Sequence, residues 1–297
     1  MKKILLIVNP VAGRLKMRNE LFDVIDVFSN NEFIVTTAIT QYRGHGRELA
    51  RDAQKNGYDL VVCCGGDGTL NEAIDGLLSV DKYQRVPLGY IPAGSTNDFA
   101  ETLGIPVYPT AAAVNICKSV RMHIDVGQFN DDHHFSYIAT FGAFSAASYS
   151  APQELKNSIG HMAYLIEGIK QLGNMQRYKA KVIADGNEYE GEYIYCSVSN
   201  TKSVAGLVKL SESIVDLHDG LFEVILVKYP NNLSETNKVV TGVLQSNFSN
   251  DMFEFFKAKD ITFIMEEGTD WSLDGEKVEG GKVVNITNLA SSIEMYL

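Results

Sequence analysis

At 297 residues and 32.8 kDa the chain is long enough for one large domain or two ordinary ones. Apolar residues at 45% and charged residues at 21% exclude global disorder. A net charge of −11 excludes a non-specific nucleic-acid binder and a purely electrostatic anchor on anionic lipid. The longest apolar runs, such as Ile4–Val8 and Leu60–Cys64, fall far short of the ~20 residues of a membrane-spanning helix. The opening MKKILLIVNP has too short an apolar stretch for a secretory signal. Cys63, Cys64, Cys117 and Cys196 form no CxxC pair and read as reduced thiols of a cytoplasmic protein.

In chain order, Ile4–Val8 reads as a strand covered on both faces, and Asn9-Pro10-Val11-Ala12-Gly13 breaks it. An amphipathic helix near Asn19–Phe28, a strand at Phe33–Thr37 and helical spacing over Gly44–Asn56 follow. Leu60–Cys64 is a third strand, Thr69–Leu78 a helix, Val86–Ile91 a fourth strand, and Asp98–Leu103 a short helix stopped by Gly104-Ile105-Pro106. This alternation predicts right-handed crossovers and a mostly parallel sheet. The second half differs. Lys179–Ala184 and Glu192–Ser199 read as strands joined through Asp185-Gly186-Asn187, and Leu221–Val227, Ile261–Met265, Asp270–Leu273 and Val283–Ile286 continue the pattern. Helices are expected at His161–Leu172 and Leu233–Gln245. The expected fold is therefore an N-terminal α/β domain, residues 1–124, and a C-terminal β-sandwich, residues 125–286.

Three strand ends carry small, polar, glycine-bearing loops. Gly65-Gly66-Asp67-Gly68-Thr69 lies between the third strand and its helix, where bare backbone N–H groups and a helix start suit an anion. Asp67 would repel a phosphate directly, so it is expected to hold Mg²⁺ beside one. A plain strand-to-helix turn capped by Thr69 is the alternative. Asn9 to Gly13 with Arg14 behind it, and Gly94-Ser95-Thr96-Asn97-Asp98, follow the same logic. In a parallel sheet these ends share one edge, so the loops are expected to converge on one polyphosphate. Asp67 and Asp98 would be its two nearby carboxylates. His133-His134 have no spaced ligand partner and read as a solvated hairpin tip.

Taken together, Asn9-Pro10…Gly13, Gly65-Gly66-Asp67-Gly68-Thr69-Leu70-Asn71-Glu72 and Gly94-Ser95-Thr96-Asn97-Asp98-Phe99 resemble the diacylglycerol kinase catalytic domain. Nearly the whole chain is similar to the soluble bacterial lipid kinases of that family. Thr40…Gly44-His45, Asp125-Val126-Gly127 and a late Asp274-Gly275-Glu276 extend the match. NAD kinases and phosphofructokinases share GGDGT alone, but the combination with GSTND and DGE is specific.

The resemblance implies ATP held by Asn9, Pro10, Val11, Ala12, Gly13, Arg14, Thr40, Gly65 to Glu72, and Gly94 to Asn97. It implies acidic residues Asp67, Asp98 and Asp125 around a catalytic Mg²⁺, and a general base at Asp274 or Glu276. It implies a structural Mg²⁺ on Asp219 with the backbone carbonyls of Asp216 and Leu221, and a last strand, residues about 287–297, that returns to the first domain. Arg14 and Glu167 stand where close relatives carry lysines, with Lys156 or Lys170 as replacements for the second. Asp274-Gly275 also reads simply as a type I′ turn. The expected activity is phosphorylation of a membrane lipid, diacylglycerol to phosphatidic acid, by a cytoplasmic protein contacting the inner face of the membrane. A sphingoid-base or NAD kinase and a catalytically lost nucleotide-binding regulator are the alternatives, no nucleic-acid partner is expected, and homodimerisation is left open.

Overall fold

A computed structural model describes residues 1–94, 97–142, 176–204, 208–209 and 215–297. The chain divides into two compact units, Met1–Asp125 with Ser291–Leu297, and Val126–Ala290. The helix expected at His161–Leu172, together with Lys156, Glu167 and Lys170, lies outside the described residues.

The first unit is α/β. Strands β1 (Lys2–Val8), β2 (Phe33–Ile39), β3 (Leu60–Gly65) and β4 (Leu88–Pro92) form a parallel sheet in the order β2-β1-β3-β4. Ile4–Val8 and all of β3 and β4 are buried, as unbroken apolar runs in a covered parallel sheet should be. β2 alternates between half-buried and exposed residues and forms the sheet edge. The helices are α1 (Lys16–Asn30), α2 (His45–Arg51), α3 (Asp67–Leu78), α4 (Asp98–Leu103) and α5 (Pro109–Lys118). The chain leaves β1 toward β2 on one side and reaches β3 on the other, so the topological switch lies between β1 and β3.

The second unit is antiparallel. β5 (Arg121–Phe129) leads into it and pairs with β6 (His133–Phe135) around an exposed tip at Asp131 and Asp132, which leaves His133 exposed. β7 (Ile138–Gly142), β8 (Tyr178–Ala184) and β9 (Asn187–Ser199) follow, with β8 and β9 joined by Asp185-Gly186, both at positive φ (46° and 86°) as a type I′ turn requires. The short strands β10 (Ser203–Val204) and β11 (Val208–Lys209) pair with each other. Next come β12 (Phe222–Lys228), α6 (Leu233–Gln245), β13 (Phe253–Ala258), β14 (Asp260–Met265), β15 (Asp270–Leu273), β16 (Glu276–Glu279) and β17 (Val283–Tyr296).

β9 is long enough to serve two layers. Its first half pairs with β8, which continues to β14 and β17, and its second half lies between β7 and β12. Alternate residues from both layers fill one core: Ala180 and Val182 of β8, Phe263 of β14, Phe141 of β7, Val198 of β9, Val224 of β12 and Trp271 of β15. The fully buried Trp271 ring meets Phe129, Phe141 and Phe263 edge-on at 5.3, 4.9 and 5.0 Å, locking the layers together. The last strand extends well past the expected Ile286, and its end returns to the first unit, where Met295 pairs with Leu88.

Candidate functional site

The loops after β1, β3 and β4 meet at the topological switch. Gly13 sits at φ 53°, and a Cβ there would collide with the Ala93 carbonyl. A Cβ on Gly94 would lie 2.5 Å from the Gly66 Cα, so the second and third loops touch backbone to backbone. Asn9 Nδ2 donates to Thr69 Oγ1 at 2.9 Å and ties the first loop to α3. Thr69 therefore joins two loops instead of capping its own helix. Asn97, at φ 55°, closes its loop by accepting from the Gly94 N–H at 2.8 Å and donating to the Gly94 carbonyl at 3.1 Å. Cys63 and Cys64 lie buried beneath, and burial raises the Cys63 thiol well above its ordinary range, so both read as packing groups.

Asp67 is the first residue of α3. Its Oδ2 accepts the Asp98 N–H at 3.2 Å, while its Oδ1 is buried with no hydrogen-bond partner. Burial, with Asp98 adding to it, raises the Asp67 carboxyl to about 6. A buried, orphaned carboxylate oxygen with a second carboxylate beside it is the donor set a divalent cation satisfies, so Asp67 and Asp98 fit Mg²⁺ here.

The other residues around the rim divide by role. Val11 is 76% exposed at the first loop tip, where its N–H donates to Asn9 Oδ1 at 3.1 Å, and Pro10 and Ala12 flank it half-buried. The Thr40 N–H donates to the Val8 carbonyl at 2.9 Å, bringing the loop after β2 alongside. Glu72 holds that loop: its two oxygens accept the Gly44 N–H at 2.7 Å and the Gly46 N–H at 3.0 Å. The resemblance implied Glu72 at the nucleotide, and here its carboxylate holds the loop after β2. Leu70 is fully buried core, Gly68 is exposed, and Gly65 and Asn71 lie in β3 and α3 beside them. Ser95, Thr96 and the Arg14 side chain lie outside the described residues. Asp125 is fully buried in β5, and its Oδ1 accepts the Ser291 N–H at 2.7 Å, which pins the returning strand.

In the second unit Asp274-Gly275 forms a two-residue hairpin loop between β15 and β16, at φ 49° and 89°. Asp274 Oδ1 accepts the Tyr137 and Ile138 N–H groups at 3.1 and 3.0 Å, and its Oδ2 accepts the Ser136 N–H. Glu276 follows, exposed, as the first residue of β16. The turn and the expected acid–base position thus coexist in one hairpin, with the two carboxylates in different environments.

Asp219, expected to hold a structural Mg²⁺, is otherwise engaged. Its Oδ1 accepts the Leu221 N–H at 2.9 Å and its Oδ2 accepts from Lys257 Nζ at 2.8 Å. The Asp216 carboxylate faces its own loop, accepting the His218 N–H at 3.1 Å. Among the described residues no cluster of three or more His, Cys, Asp or Glu could hold a metal. Both oxygens of Asp219, the one carboxylate of that expected set, are thus held by groups of the chain itself.

An α/β unit with three converging strand-end loops, followed by an antiparallel sandwich, defines a two-unit protein with a loop site suited to phosphate. The diacylglycerol kinase catalytic domain matches residues 3–129. A diacylglycerol kinase of Bacillus subtilis is 34% identical over 93% of this chain and 90% of its own length. One from Staphylococcus aureus strain MRSA252 is 31% identical over 99% of this chain and 92% of its own. The crystal structure of a candidate diacylglycerol kinase from Bacillus anthracis aligns with a TM-score of 0.80 at 26% identity, over 99% of this chain and 97% of that one. The chain belongs to the diacylglycerol kinase family.

Proposed function

We propose that the protein transfers the terminal phosphoryl group of ATP to the hydroxyl of a membrane lipid, with diacylglycerol as acceptor and phosphatidic acid as product. The observation that carries this reading is the convergence of Gly13, Gly66 and Gly94 beside the buried, unpartnered Oδ1 of Asp67. Bare backbone at three loop tips suits a polyphosphate, and a carboxylate among them suits the cation that accompanies one. Asp67 and Asp98 hold that cation, and Asn9, Thr69 and Asn97 keep the loops in register around the phosphates. When bound, magnesium neutralises the charge of the transferring phosphoryl group.

The acceptor hydroxyl must lose its proton as it attacks. Glu276 takes that proton, and Asp274 shapes the turn that presents it. Both Asp274 oxygens are occupied by backbone N–H donors from the segment before β7, which suits an anchor, while Glu276 faces solvent. This reading is tested by kinase assay with diacylglycerol in mixed micelles. E276Q is expected to lower kcat by about 10²–10⁴ with the KM for ATP retained. Full activity in E276Q with loss in a stably folded D274N would assign the base to Asp274 instead.

A further inference from the structure

The segment before β12 carries an ion cluster that the transfer chemistry does not use. Lys257 of β13 stands directly opposite Glu223 of β12 in the antiparallel register. Its Nζ lies 2.8 Å from Asp219 Oδ2 and 3.1 Å from Glu223 Oε1. Glu223 is fully buried, and its contact with Lys257 is close but poorly aligned for a hydrogen bond. One ammonium therefore ties the Asp216–Leu221 turn to the β12–β13 pair. The family resemblance implies a divalent ion on Asp219, yet here Asp219 already carries a cation, supplied by the chain.

We infer that Lys257 is a built-in substitute for that ion: its ammonium offsets the Asp219 charge, reaches Glu223 beside it and fixes the turn, so the second unit folds without magnesium. This goes beyond the kinase reading and does not depend on it. Trp271, the single tryptophan, is fully buried in the core of the second unit, so its fluorescence reports unfolding there.

The test is thermal unfolding of the full chain without nucleotide, in EDTA and in millimolar magnesium. Wild type is expected to melt at the same temperature in both. K257M, which keeps the side-chain length and loses the charge, is expected to melt about 5 °C lower in EDTA and to recover in magnesium, while K257R keeps the magnesium-independent wild-type behaviour. Repeating the comparison in a D67N background removes the rim carboxylate as a source of any magnesium effect. A wild type that loses stability in EDTA, a K257M as stable as wild type, or a K257M loss that magnesium does not restore would each overturn the inference.

Discussion

The Asp67 and Glu223 carboxyls are both shifted upward, first by burial, and each predicts a distinct pH dependence. Asp67 is raised to about 6 by burial and by Asp98. A cation at Oδ1 favours its ionised form, so Mg²⁺-ATP binding displaces a proton from the free protein. Binding measured by calorimetry in buffers of different ionisation enthalpy is expected to release about one proton below pH 6 and progressively less above it. D67N is expected to abolish that release and weaken binding, and unchanged release in D67N would assign the proton elsewhere. Glu223 is raised to about 7, first by burial and then by Asp219, with Lys257 opposing. Its folded value exceeds its unfolded one of 4.5, so the stability it contributes is full below pH 4.5 and is lost as pH rises through 7. E223Q cannot ionise. From pH 4.5 to 8 its stability relative to wild type is expected to rise by about 3 kcal/mol, the two-and-a-half-unit shift at about 1.4 kcal/mol per unit. A pH-independent difference in denaturant midpoint would contradict this.

The loops and hairpins show what local sequence can and cannot specify. Gly94 and Gly66 meet so closely that a methyl group on Gly94 has only backbone to push against. G94A is expected to displace the third loop at a cost of about 1–3 kcal/mol, or roughly five- to 150-fold in Mg²⁺-ATP affinity, with the Trp271 melting profile unchanged. Retained affinity would show that the loops need not touch to hold a nucleotide. The glycine loops were legible because each interrupts an apolar run at its end, and the Asp185-Gly186 and Asp274-Gly275 turns because paired positive-φ positions admit few residues. The short helix Asp98–Leu103 and the helix Leu233–Gln245 stand where the pattern put them. The pattern missed α5, whose Pro109-Thr110-Ala111-Ala112-Ala113 opening has too little apolar contrast for a helical period. It missed β13 because Phe253–Ala258 mixes aromatic and charged residues on an edge strand paired only with β12, where Phe255 stays exposed. It overextended α2, which stops at Arg51 before the turns that lead to β3. The roles of Glu72 and Thr69 were not legible either: each depends on a partner 28 or 60 residues away, which no local motif encodes.

For the molecule as a whole, the acceptor decides where it must work. Among the described residues no helix is long and apolar enough to cross a membrane, and the net charge is −11. On the proposed lipid-kinase reading, the acceptor hydroxyl at a bilayer surface is expected to be reached by peripheral contact, through apolar side chains and a local basic patch instead of the global field. Binding to vesicles containing diacylglycerol is expected to persist in moderate salt, and its complete loss on salt addition alone would show that charge carries the contact. Incubation with labelled ATP, magnesium and a total bacterial lipid extract, with the labelled product identified by mass, tests the proposed activity most directly. Phosphatidic acid is the predicted product, lost in D67N and E276Q. A protein that binds Mg²⁺-ATP yet labels no lipid, or labels only a sphingoid base or NAD when these are supplied, would contradict it.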